Sequence, residues 1–167
     1  MKTIKLGFVP AHREPFDENW AGQMRQRCLN VFARVSGLEI VCPDERITPR
    51  GLVRNDRDAE NAIKLFHEQE VDGVIIGAMT FGDEVAALSV ASAFQHLPIL
   101  LFGTKEDDFT PQGGRRSDSF CGTLSISSGL YRRDILFTFA GIVFPEEKPF
   151  LEKIKNFVGV CSKGAWV

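Results

Sequence analysis

Short apolar runs alternate with longer amphipathic segments along this chain. The runs have the length of strands buried on both faces of a parallel sheet. The segments between them repeat apolar residues three and four positions apart, which is typical of helices that cover a sheet. We predict five strands, at Ile4–Val9, Leu38–Cys42, Val74–Gly77, Pro98–Gly103 and Ile135–Ala140. We predict five helices, from Asp17 or Glu18 to a stop at Gly37, and at Asp56–Gln69, Glu84–Phe94, Ser117–Arg132 and Glu146–Val160.

This alternation of strand and helix predicts the fold class. Strands separated by helices form βαβ units with right-handed crossovers and a parallel sheet. We therefore predict an α/β, doubly wound, five-stranded sheet of flavodoxin or Rossmann type, in the order 2-1-3-4-5, with helices on both faces. A length of 167 residues suits one such domain. The ending Lys163–Val167 carries no polar tail, so we expect the fold of a longer, multidomain protein to continue downstream.

Charge and cysteine usage narrow the function classes. The formal charge of −2 lacks the excess of Lys and Arg that nucleic acid binding requires. No apolar run approaches the roughly 18 residues of a membrane span, and the N-terminus shows no signal sequence. The four cysteines are widely spaced and predict free thiols. We expect a cytoplasmic protein with neither a nucleic acid nor a membrane as its partner.

The candidate site lies in loops that follow the first and third strands. In open parallel sheets, ligands bind beyond the carboxyl ends of the strands, where the strand order reverses. The order 2-1-3-4-5 puts that point between strands one and three, so their loops should face one crevice. The candidate residues are His12, Arg13, Met79, Thr80, Phe81 and Glu84. Simpler interpretations remain open. His12 can be solvated, Thr80 or Asp83 can cap the third helix, and Glu84 can interact with the positive end of that helix's dipole.

A second candidate is an anion cradle at Arg115, Arg116 and Ser117. Two flexible glycines precede these residues and a predicted helix begins at Ser117, a combination that favours phosphate. The alternative is a mobile surface loop. The sequence contains no nucleotide-binding glycine motif, no nucleophile elbow and no histidine or carboxylate cluster spaced for a metal. The residues alone therefore favour binding of something small and polar over catalysis.

Four stretches carry a resemblance to a known family. They are KLGFVP at Lys5–Pro10, VIIGAMTFGDEVA at Val74–Ala86, RSDSFCGT at Arg116–Thr123 and FTFAG at Phe137–Gly141. In these stretches the chain resembles the N-terminal, Rossmann-like domain of the L-fucose/L-arabinose isomerase superfamily, above all its L-fucose isomerase-like members. These enzymes interconvert aldoses and ketoses through an enediol and are intramolecular oxidoreductases.

The resemblance implies a division of labour between domains. Mn²⁺ would be held by acidic residues and histidine of downstream domains, for which this chain has no matching positions, so the chain alone should bind no cofactor and be inactive. The N-terminal domain would supply sugar contacts and an interface in a homo-oligomer, a hexamer in the family. Carried over by position, the sugar contacts are His12, Arg13, Met79, Thr80, Phe81 and Glu84, with Phe81 covering the sugar. Met79 stands where some fucose isomerases have tryptophan, which leaves the sugar unidentified.

The sequence leaves two alternatives to the isomerase domain. One is a stand-alone module that binds a sugar or sugar phosphate without turnover, using Arg115 and Arg116. The other, a flavodoxin-like FMN protein, has little support because the loop after the first strand lacks a Ser/Thr-rich phosphate clamp.

Overall fold

A computed structural model describes residues 3–164 of the chain. The strands are β1 (Ile4–Ala11), β2 (Leu38–Val41), β3 (Gly73–Ala78), β4 (Ile99–Thr104) and β5 (Thr138–Val143). The helices are α1 (Glu18–Phe32), α2 (Asp56–Glu68), α3 (Glu84–Ala93), α4 (Ser119–Arg132) and α5 (Lys148–Ser162), and a short 3₁₀ turn spans Pro49–Gly51. The expected continuation of the fold rests partly on residues 165–167, which lie outside the described residues.

All five strands form one parallel sheet in the order β2-β1-β3-β4-β5. The predicted fold class and strand order are therefore confirmed. β1 pairs with the whole of β3, from Leu6 opposite Gly73 to Ala11 opposite Ala78. The loops that follow these two strands consequently start side by side.

Two hydrophobic cores cover the two faces of the sheet. α1 and α5 pack on one face, where Phe8, Ile75 and Phe102 point toward them. α2, α3 and α4 pack on the other face, against the alternate strand residues Val74, Ile76 and others. Because side chains alternate across a strand, a strand buried on both faces is apolar at nearly every position, as β3 is throughout and β4 is up to its last residue, Thr104.

Asp and Asn residues fix the start of four helices. At each, the side chain accepts a hydrogen bond from the backbone N–H three residues later and so satisfies one of the free donors of the first turn. These N-caps are Asp17, Asn55, Asp83 and Asp118. The N-cap at Asp118 explains why α4 begins at Ser119 and not at the predicted Ser117.

Two further predicted boundaries were wrong. The fifth strand begins at Thr138 and not at Ile135, because the Ile135 N–H is bonded to the Leu130 carbonyl and closes the end of α4. The first strand continues through Pro10 to Ala11. A proline is accommodated there because β2 pairs only with Ile4–Gly7, so β1 has no β2 partner at Pro10.

The fifth strand also ends later than predicted, at Val143 and not at Ala140. The remaining limits agree with the prediction to within two residues, apart from α1, which ends at Phe32. Gly37, predicted to end this helix, instead has φ +75° in the turn that enters β2. No helix within residues 3–164 is long and apolar enough to cross a membrane.

Candidate functional site

Loops from neighbouring strands meet at the carboxyl edge of the sheet. His12 Nδ1 lies 2.8 Å from the hydroxyl of Thr80, at hydrogen-bond distance. The Arg13 N–H also points to that hydroxyl, at 3.4 Å. The structure thus brings together the loops after β1 and β3, as the strand order predicted.

Main-chain hydrogen bonds hold the loops after β1 and β3 in place. The Met79 N–H donates to the Ala11 carbonyl at 2.9 Å, and the His12 N–H donates to the Val53 carbonyl at 3.0 Å. Val53 also forms a parallel bridge with Ala11, so the segment after β2 extends the sheet beside β1. The sequence prediction missed this third segment, because nothing in the apolar pattern marks a single bridge residue after a long loop.

His12 is completely buried, which excludes the solvated alternative. Burial lowers its pKa below the ordinary value of 6.5, because the interior disfavours the charged ring; Glu18 and Glu14 partly oppose this effect. The ring is therefore neutral at pH 7. Its Nδ1 faces Thr80, whereas its buried Nε2 has no hydrogen-bond partner within the described residues.

Arg13 and Phe81 form the more accessible part of the site. The Arg13 guanidinium lies over the Phe81 ring, 5.1 Å from its centre, and the Phe16 ring stacks on Phe81 at 5.8 Å. Glu84 is half-buried in the first turn of α3, whereas Asp83 is the residue that caps this helix, accepting from the Ala86 N–H at 2.8 Å. Of the capping alternatives, Asp83 is therefore the one observed, and Thr80 is engaged with His12.

Met79 points away from the other candidate residues of its loop and into the core. Its side chain has no exposed surface and packs in the core beneath α1 and α5. Its backbone carbonyl accepts a hydrogen bond from the Thr104 hydroxyl at 3.1 Å. Met79 therefore supports the loop from below, and its role as a sugar contact stays a prediction that needs a rearrangement of the core.

The segment before α4 contacts the start of α1, next to the loop after β1. Arg116 forms an ion pair with Asp17 at 2.9 Å, its carbonyl accepts the Asp17 N–H, and its guanidinium lies 5.7 Å from the centre of the Trp20 ring. Ser117 is fully buried, and its hydroxyl has no partner among the described residues. Asp17 was predicted only as a possible helix start. Its pairing with a residue 99 positions away has no sequence signal.

The two guanidinium groups of the predicted anion cradle are already paired with carboxylates. Arg115 bonds Glu106 at 2.6 Å and Asp118 at 3.0 Å, and Arg116 bonds Asp17. Asp118 also caps α4, so a carboxylate occupies the helix terminus that would attract phosphate. A phosphate would have to displace these carboxylates.

A close main-chain contact fixes α4 against the β3 loop. A Cβ atom at Gly122 would lie 1.5 Å from the Phe81 carbonyl oxygen, so only glycine allows the helix to approach this near. The Ser119 hydroxyl bonds the Thr104 carbonyl and ties the same helix to the end of β4. The position of Phe81 therefore depends on α4.

The sequence prediction also missed the charged residues Arg54, Asp58 and Glu18, two of which act on His12. Arg54 bonds the buried carboxylate of Asp58 at 2.9 Å and reaches Glu18 at 3.3 Å. Arg54 and Glu18 both act on His12 electrostatically, in opposite directions. The only sequence signal was the i, i+4 spacing of Arg54 and Asp58, which is common on helix surfaces.

The site shows no arrangement for a metal ion. No group of three or more His, Cys, Asp or Glu side chains able to hold one comes together in residues 3–164. His12, the one histidine of the site, is bonded to a hydroxyl and not grouped with carboxylates as a ligand set. The Mn²⁺ implied by the resemblance therefore does not fit the described residues, and we assign no chemical step to it here.

Comparison with known families identifies the family of this chain. The model of the fucose/sulfoquinovose isomerase N-terminal domain matches residues 7–164, almost the whole chain. The chain belongs to this family. As a fucose/sulfoquinovose isomerase N-terminal domain, it keeps the β1 and β3 loops and the start of α4 within the matched region. Searches among curated proteins and among solved structures gave no match.

Proposed function

We propose that this domain forms the substrate-side wall of an aldose–ketose isomerase. In this role the loops after β1 and β3 bind sugar hydroxyls, and the Mn²⁺ ligands and the proton-transferring carboxylates belong to other domains. Family membership supports the reaction class. The homo-oligomer that the resemblance implies and the cytoplasmic location expected from the free cysteines and the lack of a signal sequence belong to the same proposal.

The unpaired Nε2 of buried His12 is the observation that carries the proposal. A buried polar atom without a partner costs about 1–3 kcal/mol, so such an atom is normally bonded to water or a ligand. In either tautomer of the neutral ring, Nε2 offers one donor or one acceptor, which matches a sugar hydroxyl. The Trp20 Nε1 and Ser117 hydroxyl are likewise buried without partners and come from the neighbouring first turn of α1 and the segment before α4.

Arg13 and Phe81 would complete the contact from the solvent side. Their cation–π contact is exposed and is worth only about 0.5–1 kcal/mol, so a sugar can displace Arg13 from the ring at low cost. The ring would then cover an apolar face of the sugar while the guanidinium and Glu84 bond its hydroxyls. These roles bind and orient the substrate, and none of them transfers a proton.

Isomerisation kinetics test this proposal. We would combine this chain with downstream domains of an isomerase of the family and assay pentoses, 6-deoxyhexoses and sulfoquinovose with Mn²⁺. Arg13→Ala removes a hydrogen bond to a sugar hydroxyl, worth about 1 kcal/mol, and should raise KM roughly fivefold or more. Phe81→Ala removes the apolar contact with the sugar face, and a loss of about 1 kcal/mol there should raise KM by a similar factor. Arg133→Ala, an exposed site at the far end of α4, is the matched control and should leave KM unchanged. Unchanged KM and kcat in both site variants of an active complex would refute the site assignment.

The stand-alone sugar-phosphate module has no observation in its favour. The paired state of Arg115 and Arg116 weakens its only sequence argument. We therefore do not propose it.

A further inference from the structure

The buried Thr80 hydroxyl determines which nitrogen of His12 carries the ring proton. Both side chains have no exposed surface. The hydroxyl oxygen accepts a hydrogen bond from the Arg13 N–H at 3.4 Å and lies 2.8 Å from His12 Nδ1. Within residues 3–164 this hydroxyl has no third partner. Donor and acceptor in the 2.8 Å bond can therefore be assigned from the groups that each arrangement leaves unpaired.

The arrangement in which Thr80 donates leaves fewer groups unpaired. When its hydroxyl donates to Nδ1 of His12, the only unpaired group of the two side chains is Nε2–H. When Nδ1–H donates instead, the Thr80 proton has no acceptor among the described residues, and the Nε2 lone pair has no donor. Because a buried donor without an acceptor is costly, the first arrangement should be favoured about tenfold or more.

This arrangement limits what His12 can do. The ring is neutral at pH 7, because burial lowers its pKa, and so it carries a single proton. With that proton on Nε2 and the Nδ1 lone pair bonded to Thr80, the ring has no free lone pair. His12 is thus able to donate a hydrogen bond through Nε2 but not to take a proton there. A ligand atom that meets Nε2 has to be an acceptor.

Other unpaired polar groups nearby are also donors. The start of α1 adjoins His12, since its N-cap Asp17 acts electrostatically on the ring. Trp20 lies in the same first turn, and Ser117 follows Arg116, whose guanidinium lies 5.7 Å from the centre of the Trp20 ring. The unpaired Trp20 Nε1–H is only able to donate, and the unpaired Ser117 hydroxyl is able to donate as well. A ligand bound here should therefore present acceptor oxygens.

From these observations we propose that Thr80 is a positioning residue for His12. Its hydroxyl donates to Nδ1 and keeps the proton on Nε2, so that His12 binds an acceptor oxygen of the sugar as a hydrogen-bond donor. The position of the proton is a property of the chain without ligand. The identification of the acceptor as a sugar oxygen rests on the proposed function.

Long-range 1H–15N NMR of the unmodified chain at neutral pH tests the position of the proton. His12 Nδ1 should give the 15N shift of an unprotonated ring nitrogen and Nε2 that of a protonated one, with the Nε2–H form in about tenfold excess or more. The exposed His67 and His96 serve as internal references. The Thr80 hydroxyl proton should exchange slowly with solvent, because it is buried and hydrogen-bonded. Nδ1–H as the main form, or rapid exchange of the hydroxyl proton, would overturn the proposal.

Two substitutions separate the hydroxyl from the size of the side chain. Thr80→Val removes the hydroxyl and nearly keeps the volume, so the two forms of His12 should approach equal populations. Thr80→Ser keeps the hydroxyl and should restore the excess of the Nε2–H form. Thr138→Val is the matched control, because Thr138 is exposed at the start of β5, and it should leave the His12 signals unchanged. An unchanged excess in folded Thr80→Val would contradict the positioning role.

Kinetics of the complex with downstream domains test the sugar contact. Thr80→Val should raise KM about fivefold or more with kcat unchanged, because the lost hydrogen bond holds substrate and transition state alike, and Thr80→Ser should restore KM. If Arg13→Ala raised KM and Thr80→Val did not, the role of His12 as a donor would be overturned while the proposed function stood. Unchanged KM in Arg13→Ala and Phe81→Ala would instead refute the proposed function, and the sugar contact of His12 with it.

Discussion

Replacing Gly122 by alanine tests the close approach of α4 to the β3 loop. In an exposed helix, alanine is favoured over glycine by about 1 kcal/mol. At Gly122, however, the added Cβ would lie 1.5 Å from the Phe81 carbonyl oxygen, well inside the 3.4 Å at which ordinary contact begins. The helix and the loop would have to separate by about 2 Å.

The cost follows from what the new atom meets. Overpacking typically costs about 1–3 kcal/mol, and the obstacle here is main chain, which cannot rotate away like a side chain. We expect Gly122→Ala to lower the free energy of unfolding by about 2 kcal/mol relative to the unmodified chain, even after the gain in helix propensity.

Gly159→Ala provides the matched control. Gly159 also lies within a helix, and nothing stands within 4 Å of its Cβ position. This variant should be stabilised by about 0.5–1 kcal/mol. Urea unfolding of both variants measures the difference, which should reach about 3 kcal/mol, or roughly 9 °C in Tm for a chain of this size. If Gly122→Ala proved as stable as Gly159→Ala, the described packing of α4 on the β3 loop would be incorrect.

Two further predictions concern Asp17 and His12. Asp17→Ala removes an N-cap together with the ion pair to Arg116, whereas Asp83→Ala removes an N-cap alone. In urea unfolding, Asp17→Ala should therefore lose more unfolding free energy than Asp83→Ala, by up to about 1 kcal/mol. Equal losses would show that the ion pair contributes nothing. His12 has a pKa below 6.5 in the folded chain, so the unfolded chain binds more protons and stability should fall as the pH drops below 6.5. In His12→Asn, unfolding free energies measured between pH 7.5 and about 5 should lose this slope, and an identical slope would show that His12 does not titrate as described.

The sequence predicted the fold well because the apolar pattern is determined by burial on both faces of the sheet. β3 and β4 are uninterrupted apolar runs, and no other element type fits runs of that length between helices. The fifth strand was predicted to begin too early because Ile135 is apolar for a different reason. Ile135 closes the end of α4 and packs in the core between the sheet and α2–α4. Periodicity cannot separate these two causes of burial.

The candidate site was predicted only as far as strand order determines it. The meeting of His12 with Thr80 follows from the adjacency of β1 and β3. Three other features depend on the way in which the long loops fold back onto the sheet. They are the burial of His12, the pairing of Asp17 with Arg116 and the position of Val53 beside Ala11. Such returns are set by tertiary contacts that leave no local pattern in the sequence.

Main-chain hydrogen bonds, and not the outward side chains, hold the loops of the candidate site in place. Because backbone groups of Ala11, Val53 and Met79 make up the floor, replacing the outward side chains Arg13 and Glu84 leaves the scaffold intact. Under the proposed function, single substitutions at Arg13 or Glu84 would therefore alter the sugar preference at little risk to folding.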